Sequence, residues 1–185
     1  GALSIKTKNG FTHEGHSLEA YTGSFGRDSG TIESGGNDGN FGYFVTGSIT
    51  KEDGWRDFSP SRVEQFFSNL SYRNETSSLD FGITAVDSDL NGNGASPVQL
   101  VDADRDAVFT HPDNTQNQLR MFTLNGSHWV NDSMMLAANT YYRKSDRSSF
   151  NGDGGEFEVD GGGTFIDDDG NIRTSAGDIN IADFN

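Results

Sequence analysis

The chain has no cysteine, so disulfides and thiolate metal sites are excluded. It has only 3 prolines, and 13 basic residues stand against 28 acids. The formal net charge of −15 argues against nucleic acid and anionic lipid surfaces as partners. Apolar residues make up 32% of its 185 residues, and the mean hydropathy is −0.64. A water-soluble core built from so few apolar residues would be thin. No stretch approaches the ~18 consecutive apolar residues of a membrane helix. A strand that alternates apolar with polar residues needs no such run, so these absences leave a membrane barrel open. G-x-S-x-G, H-E-x-x-H and P-loop patterns are also missing, and nothing points to an enzyme or a cofactor.

What the chain has in quantity is glycine (24), phenylalanine (14) and clustered acid. Residues 87–117 carry a net −5 and residues 146–185 a net −8, both in Gly/Asp-rich stretches that read as loops. The segments between them alternate. Leu18, Ala20 and Thr22 oppose Glu19, Tyr21 and Gly23. Tyr43, Val45, Gly47 and Ile49 oppose Phe44, Thr46, Ser48 and Thr50. Leu79, Phe81, Ile83 and Ala85 oppose Asp80, Gly82 and Thr84, and Ala138, Thr140 and Tyr142 oppose Asn139, Tyr141 and Arg143. This is the period of β-strands with two unlike faces. "LRMFTLNGSHWV" is β-rich, but its lipid-facing side is ambiguous.

One segment conflicts with its neighbours. In "SPSRVEQFFSNLSYR", residues 59–73, Val63, Phe66, Phe67 and Leu70 fall on one helical face behind a Ser61–Glu64 capping box. The connections decide against a helix. Short turns at 37–40, 75–78 and 131–132 alternate with longer links at 54–62, at 90–117 and from about 148 onward. Only the first link, near Phe25 to Asp28, is short where a long one is due. Tight turns at one end and long loops at the other are the build of an outer-membrane barrel. Residues 63–73 are therefore expected to form a strand, with tertiary context overriding local propensity.

In that frame "GALSIKTKNG" resembles the end of the plug domain in TonB-dependent outer-membrane receptors. "GSFGR", "EDGWRDFSPSRV", "DSDLNGNG", "DRDAVFTHPDNTQNQL" and "YYRKSDRSSFNGD" resemble, in order and spacing, the early barrel of the iron-siderophore, ferric-citrate-receptor-like branch. The similarity covers residues 1 to about 153; Gly154 to Asn185 matches no part of the family pattern. The resemblance implies an all-β, antiparallel, up-and-down transmembrane β-barrel that is incomplete, with about seven strands of a larger barrel. Residues 1–9 would be the C-terminal end of the plug, 10–147 the N-terminal part of the barrel, and 148–185 a truncated extracellular loop. The chain opens without Met or a signal peptide, which fits a fragment. The implied function is binding and TonB-dependent transport of a ferric siderophore across the outer membrane of a Gram-negative bacterium. Outer-membrane lipid would be one partner. The TonB complex would be another, engaged through an N-terminal region that is missing here.

The candidate ligand-binding residues are Trp55 and Arg56 in the second outer loop, and Arg105 and His111 in the third. Arginine forks suit carboxylate-bearing ferric chelates. The competing role for the first pair is structural, with Trp55 packed on the barrel rim and Arg56 paired with Asp57. "DSDLNG" (87–92) begins like a calcium loop, but the closing position is Val98 rather than Glu. "DDDGN" (167–171) lacks the required glycine. No cysteine or carboxylate near His13 and His16 completes a zinc signature, so no metal site is assigned. The five tyrosines suit either interface belts or cross-strand pairs. The alternative function is a secreted or surface β-rich adhesion module with calcium-binding acidic loops, although no regular nonapeptide repeat supports it. A plugless porin-type barrel is a third reading.

Overall fold

The computed structural model describes residue 1, residues 6–152, and the backbone of three short strands beyond them. Seven strands form one sheet in sequence order. They are β1 (Gly15–Thr22), β2 (Asp28–Asn37), β3 (Phe41–Glu52), β4 (Ser61–Arg73), β5 (Ser77–Asn91), β6 (Asn114–Asn131) and β7 (Met134–Phe150). Every neighbouring pair is antiparallel. A short helix, α1 (Val98–Ala103), lies in the β5–β6 link. The two-residue strands β8 (Glu158–Val159), β9 (Phe165–Ile166) and β10 (Ile172–Arg173) form a separate antiparallel sheet. No helix among the described residues is long and apolar enough to cross a membrane, which says nothing of a β-barrel.

The sheet is an open, partial antiparallel barrel, and residues 61–73 are a strand. Val63, Phe66, Phe67 and Leu70 do not share a face. Phe66 and Leu70 point one way, and Phe67 points the other, 6.2 Å between ring centroids from Phe44. Paired on both sides by β3 and β5, the segment satisfies its backbone through ladders that a lone helix would forgo. β7 runs to Phe150, three residues past the expected end of the barrel part at 147.

Register pairs sort the strands into two faces. On one, Ile32, Val45, Leu70, Phe81, Phe122 and Tyr142 recur across neighbouring strands. Parity settles the ambiguous β6 segment: Phe122 and Leu124 lie on this outward face, Met121 and Thr123 on the other. The outward side chains stand open, with Leu18 81% and Leu70 55% exposed. Tyr43, Tyr72 and Tyr142 are outward and Tyr21 and Tyr141 are not, and the Tyr142 ring meets Phe122 across the strands. Phe41 and Tyr72 pair their rings at 4.9 Å, close to the short turns.

The opposite face is covered, over β2 to β4, by residues 6–14. The Lys8 ammonium donates to both carboxylate oxygens of Glu33 and sits 5.6 Å from the Phe44 ring centroid. His13 meets that ring edge-on at 5.6 Å. Asn37 donates to the Gly10 carbonyl and to Glu14 Oε1. The Arg73 guanidinium lies over Phe11 while it donates to both oxygens of Asp80. Glycine is required where the two layers touch: a Cβ at Gly10 would collide with the Gly36 carbonyl oxygen and the Tyr43 amide nitrogen. A Cβ at Gly42 would press on the Phe11 ring. Phe44, 1% exposed, is the fully buried large side chain among the described residues. Of residues 1–9, 2–5 lie outside the described residues and 6–9 are irregular backbone.

Candidate functional site

The links alternate in length, as the sequence predicts. One end of the sheet carries 38–40, 74–76 and 132–133; the other carries 23–27, 53–60 and 92–113. Each short turn is closed by side chains from its own residues or flanks. Asp38 Oδ1 accepts from the Phe41 amide, Asn74 Oδ1 from Thr76 and Ser77, and Asn131 Oδ1 from Ser133.

At the long-loop end the links join into one body, and Arg56 is the centre of it. Its guanidinium donates to Ser96 Oγ at 2.7 Å, to the Ala107 carbonyl at 3.2 Å and to the Gly94 carbonyl at 3.3 Å. It lies 5.4 Å from the Trp55 ring centroid. It does not pair with Asp57; three acceptors in the facing loop hold it instead. Asp57 reaches the same loop through its backbone, donating from N to the Asp106 carbonyl and accepting from Asn93. Asp113 ties Gly94 to Gly152 by accepting from both amides. The 23–27 link joins through the Asp53 amide on the Phe25 carbonyl.

His111 stacks on Phe58, centroids 4.0 Å apart and planes 11° from parallel. Phe58 has φ 53°, a left-handed conformation that costs a bulky residue ~1–2 kcal/mol. The stack offsets that cost, together with the Ser59 hydroxyl, which donates to the Arg56 carbonyl. Three polar atoms in this loop pair are shielded from solvent without a hydrogen-bond partner: Arg56 Nε, Asn93 Oδ1 and His111 Nε2. Buried polar atoms without a protein partner are ordinarily met by water or a bound group.

Of the four candidates, the structure joins Arg56 and Trp55 directly, sets His111 on the next link in the same loop body, and leaves Arg105 exposed. Phe58, Ser96, Asn93 and Asp113 are part of the same arrangement and were not singled out from the sequence. Ser96 lies 40 residues from Arg56 and Asn93 lies 36 from Asp57, and no local pattern announces such pairs. The calcium-like stretch 87–92 falls largely in β5. Asp87 pairs with Arg120, and Asp89 accepts from Asn114 and Gln116. No group of three or more His, Asp or Glu among the described residues could hold a metal ion. His13 lies 3.5 Å from Glu33, and His16 bonds Ser34. The acidic stretch 167–171 lies outside the described residues.

No protein-family model and no curated protein matches the chain. Among solved structures it is similar to the ferric citrate transporter FecA in its unliganded form, with a TM-score of 0.63 and 20% identity. The match covers 75% of this chain and 22% of that one. At that identity the similarity is one of fold, and it extends to the antiparallel, incomplete barrel described above.

Proposed function

We propose that this chain is part of a TonB-dependent outer-membrane receptor that binds and imports a ferric siderophore, acting by binding and transport and not by catalysis. The observation that carries the reading is the single sheet with an exposed apolar face, short turns at one end and interlocked long loops at the other. A bilayer needs ~9–11 residues of tilted strand, and the outward polar residues Ser77 and Asp87 bracket such an interval on β5. Residues 1–9 are the end of a plug in this reading, running into a segment (6–14) stapled to the inner face, with 10–147 as the barrel's first part and 148–185 as an outer loop. The fold similarity to a ferric citrate transporter supports the same class of cargo.

Trp55, Arg56, Arg105 and His111 are the proposed ligand contacts. Arg105 is exposed, with no side-chain partner among the described residues, and suits a carboxylate-bearing chelate, while Arg56 and His111 hold the loop pair in shape and each keep one nitrogen without a protein partner. Capture of the chelate would shift the loops between conformations by differential affinity. The TonB complex would supply energy through a part of the protein outside this chain.

The test is to express the full-length polypeptide that carries this chain in a Gram-negative host stripped of its own ferric-chelate receptors. Radiolabelled iron uptake from ferric chelates, ferric citrate among them, is measured with and without a functional TonB protein. Uptake that needs both polypeptide and TonB is expected. Localisation to the outer membrane with TonB-independent leakage of small solutes would instead favour the porin-type reading.

A further inference from the structure

We propose that the outward face, at its short-turn end, holds one two-chained phospholipid with an ammonium headgroup. The inference rests on the barrel reading and goes beyond it, because it distinguishes one lipid from the bulk bilayer.

Two apolar grooves lie side by side there, of about 510 and 760 Å³. The first has a floor of small residues, Gly126 beside its register partner Ala138, between walls of Leu79, Leu124 and Leu136. The second runs over Gly36 between Tyr43, Leu70 and Phe81. Tyr72 and Leu79, register partners on β4 and β5, line both grooves and form the ridge between them. Two adjoining troughs divided by one ridge fit the two acyl chains of a single lipid.

The polar end of the ridge selects the headgroup. The Tyr72 hydroxyl accepts from Asn74 at 3.1 Å and keeps its own proton to donate to a phosphate oxygen. His128, on the wall of the first groove, is fixed through Nδ1 by Ser77 Oγ at 2.8 Å, which leaves Nε2 free. Each short turn beside the grooves carries one acid and no base: Asp38, Glu75 and Asp132. The nearest arginine, Arg73, is spent on Asp80 across the sheet. At the opposite end of the same face three acids have a basic partner, Glu64 in Arg62, Asp87 in Arg120 and Asp146 in Lys144. Unmatched carboxylates at lipid-headgroup height attract an ammonium and repel a net-anionic lipid.

The experiment uses the full-length polypeptide, extracted from outer membranes in mild detergent, with retained lipids identified by native mass spectrometry. Wild type is expected to retain phosphatidylethanolamine. Ala138→Leu with Gly126→Val fills the first groove with apolar bulk, and the retained lipid is lost while the heat-modifiable band on gels persists. Glu75→Lys, in an exposed turn, keeps the grooves and shifts retention toward phosphatidylglycerol. This second variant carries the test if the groove-filled one fails to insert. Retention of no lipid by wild type, preference for phosphatidylglycerol, or indifference to Glu75→Lys would overturn the proposal with the barrel reading intact. Absence of the polypeptide from the outer-membrane fraction would remove the barrel reading itself.

Discussion

The two faces of the seven strands solve the same problem in opposite ways. The covered face is polar along much of its length, and its side chains find partners: Lys8 with Glu33, Arg73 with Asp80, and Ser71 with Asn69 and Asp80. It encloses one fully buried ring, Phe44. The outward face carries Leu18, Ile32, Leu70, Phe81, Phe122 and Leu124, and leaves them open. Soluble proteins expose single apolar residues freely, but a contiguous apolar face marks an interface. Here the apolar surface has been moved from the protected side of the sheet to the unprotected one. That inversion has a physical reason if the solvent on the outward side is hydrocarbon.

The sharpest way to break the comparison is to put the same charge on each face at adjacent positions. Val45 lies outward in a row with Ser68, Ile83 and Phe122, away from both polar ends of the face. Val45→Arg is expected to cost ~2–4 kcal/mol of insertion, the range for arginine at a bilayer midplane. Thr46 points to the covered face opposite Glu33, so Thr46→Arg gains an acidic neighbour and loses much less. The readout is the folded, heat-modifiable fraction of the full-length polypeptide in outer membranes. Equal tolerance of both substitutions would mean that the faces are wrongly assigned.

A second, smaller effect isolates the covering segment. Gly10 touches sheet backbone with no room for a Cβ. Gly10→Val must lift residues 6–14 from β2 and β3, at a cost of about 1–3 kcal/mol by analogy with overpacked cores. Lys8→Ala removes a half-exposed ion pair worth ~1 kcal/mol or less. Limited proteolysis within residues 6–14 should follow the same order, with Gly10→Val cut fastest and wild type slowest. If Gly10→Val is cut no faster than wild type, the segment does not rest on the sheet as described.

The faces were legible in the sequence because a strand has a period of two and turn residues bracket each run. The alternation of Leu79, Phe81, Ile83 and Ala85 against Asp80, Gly82 and Thr84 fixes their sides before any coordinates are known. The helix signal over 61–70 shows the limit of local reading: a capping box and an i, i+3, i+4, i+7 pattern were both present, and pairing on two edges overrode them. The covering of Phe44 by Lys8 and His13 and the locking of Arg56 into the 92–113 loop were not legible. Each joins residues far apart in sequence, and neither leaves a periodic trace. Arg56 illustrates the difference: its type suggested a ligand contact, while its geometry makes it first a clasp between loops.

That double role gives the smallest and most local prediction. Arg56→Ala removes three hydrogen bonds, each worth ~0.5–1.5 kcal/mol net, from loops that lie beyond the strands. The loss should appear as local opening and not as a lower global melting temperature. Amide exchange at Asp57, whose N–H bonds the Asp106 carbonyl, is the direct probe, and it should speed up in Arg56→Ala. Arg105→Ala leaves that clasp untouched, so exchange at Asp57 should stay as in wild type while affinity for an anionic ferric chelate falls. If both variants lose affinity but only Arg56→Ala accelerates exchange, one arginine shapes the loop pair and the other meets the ligand. If Arg56→Ala leaves exchange unchanged, the two loops do not act as one body, and the distinction between the interlocked end of the sheet and its short-turn end collapses.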